Sequence, residues 1–389
     1  MKSNIARYNK SRLFSYLSGL FPTFISYFLK RDKNLIILNS FHNKDFNDNT
    51  KYLFEYLIKN ESQKKIRYII NDENKRKELI NRYGNYFVET NSFAGKMYVL
   101  RAYLWFTNSF EFPVNGAFLS FRRKVIQLTH GAPIKNAGLC ENDISLVKRI
   151  YYALLRTNIS YVLSTASIFD DYIASHIGVN KRKVLTSSYP RYDPLFNGKF
   201  LNLQLDKEYK HILYAPTWRH YADVELFPFK DLNLSELELF LEKTKTIIYL
   251  RIHPRFENTI SENLRNIRNI VLFSGKNYPD INDYLENFDA LITDYSSILY
   301  DFMILDRPIF YFSYDYDQYY KEVGFSVDYK KFAIGYHSKS MIEFFGDIQD
   351  AFSKDSYKND REKISELSSG KSNSNSRDLI ELLKSKGIF

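Results

Sequence analysis

His130 follows an apolar run in the segment Gln127-Leu128-Thr129-His130-Gly131-Ala132-Pro133-Ile134-Lys135. A histidine at a strand end can exchange protons near neutral pH. The glycine behind it permits close backbone approach to a ligand, and Lys135 adds positive charge. A second histidine, His253, stands between two arginines in Leu250-Arg251-Ile252-His253-Pro254-Arg255, a combination suited to a charged phosphate ester. In Ile212-Leu213-Tyr214-Ala215-Pro216-Thr217-Trp218-Arg219 an apolar run ends in hydrogen-bond donors and a guanidinium. Finally, Leu291-Ile292-Thr293-Asp294-Tyr295-Ser296-Ser297 runs through two serines into a helical pattern. Hydroxyls and free N–H groups at a helix's positive end suit a phosphate, and Asp301 falls on the same helix face as Ser297.

Each segment alone has an ordinary explanation. A strand-end histidine is more often structural than catalytic, Arg251 and Arg255 could be surface residues, and Ser296 could be a simple N-cap. Asp280 and Asp283 read as helix-start residues only. Four such segments in one chain are what point to a ligand site.

The elements that must position these residues alternate in a βαβ rhythm, the signature of parallel sheets. Strands are expected at 35–39, 66–70, 103–107, 124–128 and 161–164, then at 211–214, 246–252, 270–273, 290–293 and 308–312. Intervening helices are expected at 50–59, 144–156, 234–243, 281–287 and 297–305. Turn-rich sequence at 190–202 marks a change of domain, and the Ser/Asn/Gly-rich stretch 368–376 reads as a flexible loop before a last helix at 377–386. The expected organisation is a helix within 1–33, an α/β domain over 34–195, a second over 196–367, and a closing segment 368–389 that returns toward the first domain. Two such open sheets would present ligand-binding loops at their strands' carboxyl ends, around a central cleft.

At 389 residues the chain is long enough for two cores, and 44% hydrophobic with 26% charged residues excludes a disordered protein. The 32 Tyr and 32 Phe accompany abundant Asn, Lys and Ile, so they reflect compositional bias rather than function. The single cysteine, Cys140, excludes an internal disulfide framework and has no basic cluster to make it a nucleophile. No Cys/His spacing suggests zinc. Of the net charge of +10, residues 1–33 supply +6, from seven Lys/Arg (Lys2, Arg7, Lys10, Arg12, Lys30, Arg31, Lys33) against Asp32. Between them Leu13, Leu17, Leu20, Phe21, Phe24 and Phe28 recur three or four apart, opposite Ser11, Ser15, Ser18, Pro22 and Ser26. That amphipathic pattern is too short and interrupted to span a bilayer. It predicts either a helix lying on an anionic membrane surface or one covering the first domain's core. No nucleic-acid motif accompanies the charge.

Together the segments resemble the CDP-glycerol glycerophosphotransferase family, which builds teichoic acids and related capsules. The likeness rests on His130-Gly131-Ala132-Pro133-Ile134-Lys135, Pro190-Arg191-Tyr192-Asp193, Tyr214-Ala215-Pro216-Thr217-Trp218-Arg219, Arg251-Ile252-His253-Pro254 and Leu291 through Asp301-Phe302 to Pro308. Weaker likeness lies at 49–56 and 324–329, and the sequence departs from the family's usual pattern at Thr129, Ala132 and Tyr192. The resemblance implies a GT-B fold of two Rossmann-like domains, the N-terminal one (34–195) taking the acceptor and the C-terminal one (196–367) the CDP donor, with CDP-glycerol as donor. It implies His130 as general base, with His253 a second catalytic residue. Donor contacts are implied for His130, Gly131, Ala132, Pro133, Ile134, Arg191, Pro216, Thr217, Arg251, Ile252, His253, Ser296, Ser297 and Asp301, the last toward a ribose hydroxyl. The acceptor would be a lipid-linked polymer, which places the enzyme peripherally on the cytoplasmic face of the membrane, with no cofactor and no required metal. The neighbouring readings are a GT-B glycosyltransferase using a nucleotide sugar and a ribitolphosphotransferase using CDP-ribitol.

Overall fold

The computed structural model describes residues 14, 16–17, 19–198, 200–253, 256–257, 260–370 and 372–389. Its twelve named strands lie in two sheets, and every strand pair is parallel. The first sheet holds β1 (Asp32–Asn39), β2 (Lys65–Ile69), β3 (Phe87–Val88), β4 (Ala102–Thr107), β5 (Lys124–Gln127), β6 (Tyr161–Ser164) and β7 (Val184–Thr186), in the order β3-β2-β1-β4-β5-β6-β7. The second holds β8 (Lys210–Tyr214), β9 (Thr246–Leu250), β10 (Ile270–Leu272), β11 (Ala290–Thr293) and β12 (Ile309–Tyr311), in the order β10-β9-β8-β11-β12. Each sheet therefore reverses its direction of growth once, between β1 and β4 and between β8 and β11. Such switch points open crevices at the strands' carboxyl ends, where this architecture binds ligands.

Continuous apolar runs form these strands because helices cover both faces of a parallel sheet. In β1 the five residues from Leu35 to Asn39 are all buried. Helices such as Asp48–Asn60 and Leu234–Lys243 turn Leu53, Phe54 and Leu57, or Leu237 and Leu241, inward.

The chain divides into two compact units. One contains the described residues up to His130, with Ala137–Asp193 and Gly370–Phe389; the other contains Gly131–Asn136 and Pro194–Ser369. The chain thus passes from the first unit to the second immediately behind His130, and returns at Ala137.

Two expectations are corrected. Residues 281–287 form two 3-10 turns, Ile281–Asp283 and Leu285–Asn287, instead of one α-helix. Asp283 gives its carbonyl to the Leu201 N–H and Asn287 takes the Leu203 N–H, so these groups serve a neighbouring segment. The stretch 368–376 is not a free loop. Helix Lys358–Ser369 runs into it, helix Asn375–Ser385 starts within it, and Ser368, Ser369, Asn375 and Ser376 are buried. Asp193 accepts hydrogen bonds from the backbone and side chains of Asn375 and Ser376, anchoring the last helix within the first unit.

The expected N-terminal helix is present as Leu20–Phe28; most of the basic stretch before it, with Lys2, Arg7, Lys10, Arg12 and Leu13, lies outside the described residues. Its polarity is inverted for a surface helix. Thr23 and Ser26 are buried, their hydroxyls bonded to the Gly19 and Thr23 carbonyls, whereas Phe21, Phe24 and Phe28 are 59–77% exposed. Among the described residues no helix is long and apolar enough to cross a membrane.

Candidate active site

In the first unit, the turn after β5 holds His130 through its backbone. Thr129 adopts φ 58°, an uncommon conformation for a residue with a β-branched side chain. Its hydroxyl lies 2.6 Å from that of Tyr189, and its carbonyl accepts from Asn49 Nδ2 at 3.1 Å. Arg191, in the turn Pro190–Tyr192, donates from Nη1 to the His130 carbonyl at 2.8 Å and to Asp48 at 3.2 Å. Its own N–H bonds Asn49 Oδ1 at 3.2 Å. Helix Asp48–Asn60 thereby joins the 190–192 turn in fixing the path of the chain at His130. The imidazole itself is exposed, with the Phe41 ring edge-on at 5.8 Å. Arg191, which the resemblance places among donor contacts, is 4% exposed and bonds protein groups beside His130.

In the second unit the candidate residues gather at the switch point between β8 and β11. The Thr217 N–H donates to Asp294 Oδ1 at 2.7 Å. Arg219 donates to Asp294 at 2.8 Å and, through Nε and Nη2, to Asp315 at 2.6 and 2.8 Å. Tyr221 and Tyr295 also donate to Asp315. Burial works to raise the Asp315 carboxyl, but Arg219 and these hydroxyls outweigh it and hold its pKa below the ordinary value. The same two carboxylates raise the Arg219 pKa against its own desolvation. This buried Asp294–Arg219–Asp315 network ties the loops after β8, β11 and β12 into one piece. The Thr217 hydroxyl, also buried, has no hydrogen-bond partner among the described residues.

Pro216, Ile252 and His253 come together around a cavity of ≈ 200 Å³, which Trp218 and Phe256 also line. His253 is exposed, its ring 6.3 Å from Trp218 and 6.2 Å from Phe256. Pro254 and Arg255 lie outside the described residues. Arg251 directs Nη1 to the Tyr278 carbonyl at 2.6 Å and, more weakly, to Phe273, so part of its guanidinium serves the 273–279 loop. Ser296 and Ser297 are half-buried ahead of helix Ile298–Met303, and Ser297 makes no side-chain cap bond to it. Asp301 is 4% exposed on that helix.

Gly131–Asn136 is stitched to the loop after residues 316–322. Ser326 N–H bonds the Ile134 carbonyl at 3.1 Å, Asn136 N–H the Gly324 carbonyl at 3.0 Å, and Tyr300 Oη the Pro133 carbonyl at 3.2 Å. Ala132, Pro133 and Ile134 are buried there. Asp48, Asn49, Asp294 and Asp315 were not assigned roles from the sequence. Asp294 stood inside a recognised segment, and Asn49 at the edge of a weak one; Asp315, just past β12, carried no motif. Burial raises the Cys140 thiol pKa, which disfavours the reactive thiolate. Among the described residues no group of three or more His, Cys, Asp or Glu is disposed to hold a metal ion.

Two parallel α/β units, each with a switch point dressed by strand-end polar loops, make up a fold of the GT-B type. The chain belongs to the CDP-glycerol:poly(glycerophosphate) glycerophosphotransferase family, whose sequence model matches residues 22–382. It is 31% identical over 329 residues to the teichoic acid glycerol-phosphate transferase of Staphylococcus aureus, covering 77% of this chain and 79% of that one. It is 28% identical over 360 residues to a teichoic acid poly(glycerol phosphate) polymerase of Bacillus spizizenii, covering 86% and 87%. Among solved structures, the wall teichoic acid polymerase TagF, soaked with CDPG, shares the fold with a TM-score of 0.74 at 24% identity, over 92% of this chain and 90% of that one.

Proposed function

We propose that this glycerophosphotransferase moves glycerol phosphate from CDP-glycerol to a terminal hydroxyl of a lipid-linked cell-surface polymer, releasing CMP. His130 takes the proton of the acceptor hydroxyl as its oxygen forms a bond to the β-phosphorus. The bond from that phosphorus to the CMP oxygen breaks in line, and CMP leaves with the electron pair. His253, the Ser296/Ser297 helix start and the remaining donors of Arg251 offset the charge on the diphosphate. Pro216, Thr217, Ile252 and Asp301 contribute to the nucleoside side of the donor site, and Gly131 to Ile134 to its wall. Arg191 acts by holding the His130 carbonyl rather than by touching donor.

The observation that carries this reading is the presentation of His130, whose ring is exposed while its backbone is pinned by Arg191 and its neighbour's by Asn49. The outward aromatic face of Leu20–Phe28 supports work at a membrane surface, since a helix cladding the core would bury those rings. Purified protein given CDP-glycerol, CDP-ribitol or UDP-sugars, with products weighed by mass spectrometry, tests the reaction. CMP and a product longer by one or more glycerol phosphate units are expected from CDP-glycerol alone. Transfer from a UDP-sugar, or only from CDP-ribitol, would replace the donor assignment.

A further inference from the structure

The first sheet has its own switch point, and a cavity of ≈ 580 Å³ lies there. That volume falls in the range of roughly 300–1,000 Å³ typical of small-molecule sites. His42 and Asn43 reach it from the end of β1, Asn71 from β2, Asn91 from beyond β3, and Glu111 from beyond β4. None of the residues assigned above to the donor or to the base lines it.

Carboxamides can both donate to and accept from hydroxyls, and Glu111 accepts, so the lining suits a polyol. Lys96 supplies an ammonium that has no hydrogen-bond or ion-pair partner among the described residues, which suits a phosphodiester. Bonded to two of the lining residues, Asn39 is fully buried; its Nδ2 donates to Asn43 Oδ1 and the Glu111 carbonyl, and its Oδ1 has no hydrogen-bond partner among the described residues.

Two neighbouring features orient such a ligand. The turn Phe41–Asn43 borders the cavity with His42 and Asn43, while its Phe41 ring contacts His130. On another side, Gly19 and Pro22 line the cavity, and the helix they begin exposes Phe21, Phe24 and Phe28.

We propose that this cavity is the acceptor subsite, taking the polyol-phosphate end of the polymer and leading its terminal hydroxyl toward His130. This rests on the transfer reaction proposed above. The aromatic helix then keeps the lipid end at the membrane while the hydroxylated end enters the protein.

The test uses the full chain and a soluble tetramer of glycerol phosphate, titrated calorimetrically without donor and then used as acceptor. Lys96→Met and Asn91→Leu change exposed or half-exposed side chains, so both should fold; unchanged melting temperature and CDP-glycerol affinity verify this. Each variant is expected to weaken tetramer binding and raise its KM roughly tenfold, the scale of losing one hydrogen bond to a charged group. Lys96→Arg should restore much of the loss. Tetramer affinity unchanged in both variants, or no binding by the unaltered protein, overturns the subsite. Tetramer binding that depends on Lys96 and Asn91, with no transfer from CDP-glycerol, leaves the subsite standing and overturns the reaction instead.

Discussion

At the residue scale, an arginine's charge says little about whom it serves. Arg191 and Arg251 both stand in segments resembling donor-binding motifs, yet Arg191 bonds Asp48 and the His130 carbonyl, and Arg251 bonds carbonyls of its own unit. Sequence shows a guanidinium beside a strand end; only folding reveals which acceptor lies within 3 Å. His130 was legible because a strand-end His-Gly pair is local information, whereas its support by Asn49 and Arg191 spans 80 and 61 positions. His130→Ala is expected to cut kcat by roughly two orders of magnitude or more, as loss of a general base does, with CDP-glycerol binding largely intact by calorimetry. Near-normal turnover would assign the base elsewhere. Arg191→Ala should differ, because it removes the ion pair with Asp48 together with the hydrogen bond to the His130 carbonyl. A loss of stability is expected in chemical denaturation. A fall in kcat larger than that of Asp48→Asn, measured where both variants remain folded, would separate positioning of His130 from stability alone.

Among the elements, the interior strands were readable because burial on both faces writes them as unbroken apolar runs. The edge strands β3 and β7, two and three residues long, were missed, whereas the comparably short edge strands β10 and β12 stand in longer apolar runs, 270–273 and 309–312, and were read. The 368–376 stretch misled for a different reason. Serine and asparagine favour loops by competing for backbone hydrogen bonds, but here Asp193, remote in sequence, takes those donors and fixes a helix start. The Asp294–Arg219–Asp315 network is similarly non-local, since it joins the loops of three strands. Arg219→Ala would strand two buried carboxylates, and a loss of about 3–5 kcal/mol is expected. For a unit of this size that corresponds to a fall in Tm of roughly 10 °C, readable by calorimetry. Asp315 also gives the network a pH signature. Its folded pKa is depressed, so its stabilisation is present above the usual carboxylate pKa, near 4, and is lost as pH falls through the lower folded value. Asp315→Asn is therefore expected to lower Tm at pH 7 and to flatten its acid-side decline. An unchanged decline would place the acid sensitivity in other carboxylates.

For the whole molecule, what matters is how charge and exposed apolar surface are distributed. Residues 1–33 carry +6 of the net +10, and the described part of that segment leaves Phe21, Phe24 and Phe28 exposed. From sequence alone, membrane binding and core cladding were equally compatible with the pattern, because helical spacing defines a face without saying which way it points. The burial of Thr23 and Ser26 beside the exposure of Phe21, Phe24 and Phe28 favours the first reading, since the three phenylalanine rings are not used against the protein. Phe21, Phe24 and Phe28 would each contribute up to roughly 1.5–3 kcal/mol if fully withdrawn from water. Each basic residue near an anionic bilayer adds about 1 kcal/mol. The two contributions respond differently to salt, which screens the charges but leaves the aromatic insertion intact. Sedimentation with phosphatidylglycerol vesicles should therefore show partial release at high salt for the unaltered protein. Changing Phe21, Phe24 and Phe28 together to Ser should remove the salt-resistant fraction. Replacing Lys2, Arg7, Lys10 and Arg12 by Gln should lower binding chiefly at low salt. Both variants should retain transfer to a soluble acceptor. Vesicle binding by the triple Ser variant equal to that of the unaltered protein at every salt concentration would move the membrane contact to another surface.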